Sequence, residues 1–388
     1  MAQRRIPAAF IRGGTSKGVF FHDHDLPRDQ ASRDAIFLQA LGSPDAYQRQ
    51  LDGLGGGISS LSKAVIIARS DRPDADIDYT FAQVAVDEPT VDYASTCGNL
   101  SSAVGPFAVD EGLINASDGS VVVRVYNTNT GKIYRARFDV ENGKAVVSGE
   151  QAIPGVSGTG APITLEYVDP GGSRTSALLP TGRTIDTLET ETGAAIAASM
   201  VDATNPVVFV RAEDLSADIT RLPADLDTDD NLMRRLDSIR RSAAVAMGMA
   251  ETARTAALSN PKIAMVGPPA AFRDLRGRSF EAGEVDICAR AISMGNVHRA
   301  LPLTLSMCLA TACKIPGTIP DEAMSGSADG ADVRIGNPSG VIVAGAQVES
   351  VDGRWRARHC RVVRTQRRLM EGAVLIPECI EVDRGSAE

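Results

Sequence analysis

"CGNLSSAVGPFAV", residues 97–109, carries the fold. A cysteine precedes glycine and asparagine, and small and apolar residues then recur at i, i+3 and i+4. This spacing predicts a helix over 99–113 with Cys97 at its start. A related stretch, "MGNVHRALPLTLS" (294–306), repeats Gly, Asn and Ala at matching offsets, from 97 to 294, a shift of 197 residues or about half the chain. "TSKGVFF" (15–21) and "TNPVVFV" (204–210) form a second pair, each a polar turn feeding an apolar strand. Two such pairs point to an internal duplication. The expected halves are 1–184 and 185–388, each with a central helix opening on a common cleft. The second helix start is placed at Met294–Gly295.

Outward from these segments, short β-rich runs recur between glycine and proline punctuation. They include "KAVIIAR", "DYTFAQVAV", "VVVRVYNTNTGKIYRARFDV", "APITLEYV", "KIAMVG" and "VIVAGAQVESVDGRWRARHCRVVRT". Alternation and β-branched content mark these as strands. Helical spacing is expected at 29–41, 99–113, 185–198, 229–253, 284–293 and 295–313. Many strands with few helices indicate an α+β protein built from antiparallel sheet wrapped on helices. "GLGGGISS" (53–60) lacks the βαβ surroundings of a dinucleotide fingerprint.

Composition excludes several classes. At 388 residues the chain is long enough for two domains with a real core and no staples. A net charge of −9 argues against nucleic acid. No apolar run is long enough to span a membrane, and the N-terminus reads as no signal peptide, so a cytoplasmic protein is expected. The arginine-rich run "RWRARHCRVVRTQRR" (354–368) reads as a solvated strand, with help to an anionic ligand or a subunit contact as the other reading. The six cysteines form no CxxC pair, and "HDHD" (22–25) reads as a polar loop rather than a metal clip. No metal is expected.

Cys97 carries the chemistry. Helix N-terminal N–H groups favour negative charge, so a cysteine there can act as a thiolate base or nucleophile, and the same groups bind carboxylates. Cys308, inside "PLTLSMCLATA", reads instead as an inert core thiol. A Cys–His hydrolase is disfavoured, since no histidine lies near Cys97 in sequence. Lys63 is the candidate partner: it follows a glycine/serine loop and enters "AVIIA", where partial desolvation suits an amine to proton transfer.

The ordered motifs "IRGGTSKGVFF", "LGSPD", "LDGLGGGISSLSK", "DYTFAQVAVD", "CGNLSSAVGPFAV", "LLPTGR", "SMGNVHRA", "NPSG" and "RTQRRLMEG" resemble those of the 2-methylaconitate isomerase family. That family includes methylitaconate Δ-isomerase and 4-oxalomesaconate tautomerase. The resemblance implies a diaminopimelate-epimerase-like fold, with two pseudo-symmetric domains each wrapping a sheet around a central helix. It implies a cofactor-free isomerase of an unsaturated di- or tricarboxylate. Lys63 and Cys97 match the family's catalytic lysine and cysteine. Thr15 and Ser16 match a substrate-facing loop. Ser62, the amides of Gly98, Asn99 and Leu100, and the segment Met294, Gly295 and His298 fall where the family binds carboxylates, with Asn205 as a cleft residue of the wider fold. Epimerases of this fold use two cysteines. With Met294 taken as the second position, a thioether cannot move a proton, which argues against a two-thiol racemase and for allylic chemistry by Lys63 and Cys97. The expected substrate is 2-methylaconitate, with 4-oxalomesaconate as the rival and non-catalytic carboxylate binding as the alternative of another class. The expected partner is the small polycarboxylate, and a homodimer stays open.

Overall fold

The run Val19-Phe20-Phe21 is buried on both faces, and its neighbours show why. In the computed structural model, which describes residues 3–377 except 95, 192, 259, 294 and 327–331, Phe20 packs on Phe107 with ring centroids 5.6 Å apart. Phe21 stacks on Phe37 at 5.4 Å. A strand covered on two sides needs no polar alternation, hence the continuous apolar run. Among the described residues four helices have ten or more residues: α1 (Gln30–Leu41), α2 (Ser101–Asp110), α3 (Asp230–Ala246) and α4 (Leu303–Ala312). Asp29 and Asp229 cap α1 and α3 by accepting from Ser32 and Leu232 amides, the ordinary N-cap bond. By contrast, α2 is buried along Ser101–Val109, as a central helix must be.

The chain forms two compact units. Unit 1 holds the described residues up to Ala152, Gly158–Leu165 and those from Arg364, and unit 2 holds Ile153–Ser157 and Glu166–Val363. The division expected at 184/185 differs from this grouping. The last strand, Gln366–Pro377, belongs to unit 1 because it pairs antiparallel with Gln3–Gly13 from end to end.

Unit 1 orders its strands Gln366–Pro377, Gln3–Gly13, Ser16–His22, Lys63–Arg69, Ile77–Val84, Gly119–Asn127, Lys132–Glu141 and Lys144–Ala145. Successive pairings run antiparallel, antiparallel, parallel, antiparallel, parallel, antiparallel, antiparallel. Unit 2 orders Asp186–Glu189, Ala195–Ala203, Asn205–Arg211, Lys262–Gly267, Ile287–Ser293, Val333–Asn337, Gly340–Val351 and Arg354–Arg364. Its pairings follow the same seven-step pattern. In each unit one face of the sheet covers the central helix and the other covers an outer one. Phe209 joins the cluster of Leu305 and Leu309, whereas Val208 and Val210 join Leu236 and Ile239.

Side chains repeat as well. Arg124 Nη2 donates to Asp76 Oδ1 at 2.7 Å, and its backbone N–H to Asp76 Oδ2 at 2.8 Å. Arg334 makes the same two bonds to Asp286, at 2.6 and 2.8 Å. The duplication is therefore written in topology and in contacts. "TSKGVFF" and "TNPVVFV" are counterparts as expected, since Ser16–His22 and Asn205–Arg211 hold the same place in the two orders.

Three expected helical features are otherwise. Residues 185–198 form strands Asp186–Glu189 and Ala195–Ala203; the first alternates buried and exposed, a period of two. Residues 284–293 contain strand Ile287–Ser293, whose Ile287–Ile292 core is buried, and periodicity cannot tell such a run from a helix. The helix start placed at Met294–Gly295 is not there. Met294 lies outside the described residues, and Gly295, at φ +79°, turns the chain from Ser293 into strand Asn296–Val297. The helix begins only at Leu303, and Pro302 before it is the N-cap residue, with an extended ψ of 139°. The counterpart of α2 is thus reached by a shift of 202, not 197.

Candidate active site

Unit 1 brings several predicted residues together around the start of α2. Cys97 sits four residues before the helix, and its carbonyl accepts from Ser101 N–H and Ser101 Oγ, both at 3.0 Å. Those two bonds fix the turn. The Leu100 N–H donates to Cys97 Sγ at 3.5 Å, and the thiol donates to Ser16 Oγ at 3.8 Å. Of the three amides expected to face a carboxylate, Leu100's is therefore engaged by the sulfur.

A tight turn packs against this helix start. Gly13 and Gly14 allow it. A Cβ on Gly13 would lie 2.8 Å from the Asn99 carbonyl oxygen, and one on Gly14, at φ +52°, would lie 2.3 Å from Asn99 Oδ1. Asn99 Nδ2 donates to Thr15 Oγ1 at 3.0 Å, which joins the turn to the helix. The turn is braced behind: Gly14 N–H donates to the Thr365 carbonyl at 2.9 Å, and Arg12 reaches that carbonyl and its hydroxyl, each at 3.1 Å. Burial, then the charge of Arg367, lowers the Arg12 pKa. Arg364 donates to Asn99 Oδ1 at 3.3 Å. The arginine-rich run thus divides. Arg356 and Arg361 pair with Asp169 and Asp332 on an exposed face, as a solvated strand should, while Arg364 points inward to Asn99.

Lys63 opens the strand Lys63–Arg69 and is 7% exposed. Its Nζ donates to Gln83 Oε1 at 2.5 Å and lies 5.0 Å from the Phe81 ring centroid. Gly18 is the common neighbour. A Cβ there would meet Leu100 Cδ1 at 2.9 Å and Lys63 Cβ at 3.3 Å. Ser62 is buried, and its Oγ accepts from Gln50 Nε2 at 2.7 Å. Gln50 also accepts from Gly57 N–H at 2.9 Å, so one buried amide holds the glycine loop ahead of the lysine. Sequence reasoning gave no role to Gln50, Gln83, Gly18 or Arg364. The signal for Gln83 was available: a plain hairpin across 70–76 pairs it with Lys63.

Asn205, Gly295 and His298 lie in unit 2. Asn205 begins its strand and donates to the Pro206 carbonyl at 3.1 Å. His298 N–H donates to the Ala291 carbonyl at 2.8 Å, while its buried Nε2 has no hydrogen-bond partner among the described residues. Burial, helped by the charge of Lys262, lowers its pKa to about 4. Lys262 is itself the register counterpart of Lys63, because Val19 pairs with Ala64 and Val208 with Ile263, each one residue beyond a lysine. Four residues before α4, where Cys97 precedes α2, stands Arg299, bonded to Asp227 at 2.6 Å. Among the described residues no group of three or more His, Cys, Asp or Glu is disposed to hold a metal, and no helix is long and apolar enough to cross a membrane.

Residues 3–377 match the family described as PrpF protein. The chain is 41% identical to the 3-methylitaconate isomerase of Eubacterium barkeri, over 96% of this chain and 98% of the relative. It is 39% identical to the 2-methyl-aconitate isomerase of Cupriavidus necator, over 97% and 98%. A solved methylitaconate-delta-isomerase superposes with a TM-score of 0.89 at 41% identity, covering 97% of this chain and 96% of that one. A hydroxyproline epimerase from Agrobacterium vitis, at TM-score 0.53 and 12% identity over 97% and 94%, shares the fold alone.

Proposed function

The chain belongs to the PrpF protein family and is an isomerase, and from that premise we propose 2-methylaconitate as its substrate and Lys63 and Cys97 as its acid/base pair. The relatives' names supply the substrate class, an unsaturated polycarboxylate. One observation supports the residues most directly. Lys63 is a buried amine that makes no ion pair among the described residues, and a thiol in the same unit sits at the N-terminus of a buried helix. An amine without a carboxylate partner is available to the substrate.

The chemistry requires no redox change. One of the pair removes a proton from the carbon γ to a carboxylate, across the double bond. The electrons spread into a dienolate, and the proton returns to the same or another carbon from the other group. Main-chain N–H groups at Gly98 and Asn99 and the N-terminal end of α2 offer positive potential to the developing charge.

A deuterium-exchange NMR assay in D₂O tests this with 2-methylaconitate, trans-aconitate, methylitaconate and 4-oxalomesaconate side by side. Fastest turnover of 2-methylaconitate, with deuterium incorporated at the γ-carbon, is expected. Turnover of 4-oxalomesaconate alone would overturn the substrate, and isomerisation without exchange of any carbon-bound proton would count against proton transfer through solvent-exchanging groups.

A further inference from the structure

Gln83 faces Lys63 across the hairpin of Lys63–Arg69 and Ile77–Val84, as its register partner. Both ends of its amide are committed. Nε2 donates to the carbonyls of Ser59 at 3.0 Å and Ser62 at 2.9 Å, the turn that leads into the lysine, and Oε1 accepts from Lys63 Nζ. Carbonyls only accept, and an ammonium only donates, so one orientation of the amide satisfies all three contacts. A glutamate could not do so, because its carboxylate would confront two carbonyl oxygens. Phe81, two residues back on the same face of the strand, lays its ring under the amine. The strand Ser16–His22 contributes Gly18, which has no side chain. Lys63 is thus held by an uncharged acceptor, an aromatic ring and bare backbone.

We propose that Gln83 is a positioning residue: it aims the Lys63 amine and keeps its partner neutral, so that the amine exchanges protons with the substrate in both directions. This rests on Lys63 being a proton carrier. A carboxylate in the same place would pin the ammonium, and an apolar side chain would let it swing. The distances explain why an amide stands there.

Three variants test the assignment, each checked for folding by circular dichroism: Gln83→Met, Gln83→Glu and Lys63→Met. Gln83→Met is expected to lower kcat about 10- to 100-fold, the usual effect of a misplaced catalytic group, with KM changed less than about threefold. Gln83→Glu is expected to move the kcat–pH profile toward higher pH by about one unit or more, since an adjacent carboxylate favours the charged amine. A Gln83→Met enzyme with normal kcat would overturn the proposal. So would a uniform loss in both Gln83 variants with the pH profile unmoved, which would make Gln83 a brace for the 59–62 turn and nothing more. Lys63→Met separates the two levels. An active Lys63→Met enzyme removes the lysine reading itself, whereas an inactive one beside normal Gln83 variants removes Gln83 alone.

Discussion

The Leu100 amide N–H donates to Cys97 Sγ at 3.5 Å, so a main-chain donor at the entrance of α2 points at the sulfur of the residue three positions earlier. The contact makes the helix start serve the thiol before it serves any ligand. A sulfur that gains negative charge there meets a donor already in place and the positive end of a buried helix.

Alkylation follows from the burial pattern. Cys97 is 8% exposed, whereas Cys288, Cys308, Cys313 and Cys360 are at 0%, and burial raises the pKa of all four. Among these five, iodoacetamide is expected to label Cys97 first, with protection by trans-aconitate. Peptide mapping checks the order. Labelling of Cys308 ahead of Cys97 would contradict the arrangement. Cys97→Ser is expected to keep the fold and lose most turnover.

Lys63→Met should lower kcat about 10²- to 10⁴-fold, the usual contribution of a positioned acid or base. Methionine keeps the length of the stem and lies well against Phe81, so the thermal midpoint should change little. A large drop in the midpoint would assign the lysine a role in the core.

Gly18→Ala probes the junction between the two groups. The added methyl would sit 2.9 Å from both the Lys63 carbonyl oxygen and Leu100 Cδ1, tighter than any ordinary contact, and the first of these is backbone. Overpacking of this kind costs about 1–3 kcal/mol, and a displacement near 1 Å at the amine can cost about 10²-fold in rate. Steady-state kinetics and urea unfolding on one preparation measure both. Unchanged kcat would show that Gly18 is spacious rather than tight.

His298 predicts an acid limb in stability. Its folded pKa is lowered to about 4 from the ordinary 6.5 by burial and then Lys262, so the unfolded chain binds the proton first. Stability is complete above about pH 6.5 and is lost as pH falls toward 4, by at most on the order of 3 kcal/mol. Urea unfolding at pH 7 and pH 5, with His298→Gln alongside, isolates it. The variant should show a smaller difference between the two pH values than the parent; an equal difference would sink the assignment.

Legibility differed by physical cause. Ser16–His22, Lys63–Arg69 and Asn205–Arg211 were readable because a strand covered on both faces must be apolar throughout. The same property misled at Ile287–Ser293, where burial on two sides erases the period that separates strand from helix. Aligned letters placed Met294 opposite Cys97, whereas the helix starts place Arg299 there; each half makes a short hairpin before this point, Gln83–Val84 with Val91–Asp92 and Ile292–Ser293 with Asn296–Val297, and the two turns differ in length. Lys63 and Cys97 are proposed from residue type and place together with the family resemblance. Gln83 was not legible in this way, because its meaning lies in a cross-strand partner and not in its own neighbours.

The pairing of Gln366–Pro377 with Gln3–Gly13 has a consequence for how the chain is made. A ribosome releases every residue of unit 2 before it releases the strand that completes unit 1. The half bearing Lys63 and Cys97 must hold an open edge for some three hundred and fifty codons, about 20–70 seconds at elongation rates of roughly 5–20 residues per second. A chain truncated after Arg364 and released from the ribosome should therefore show a protease-resistant second half beside a susceptible first one.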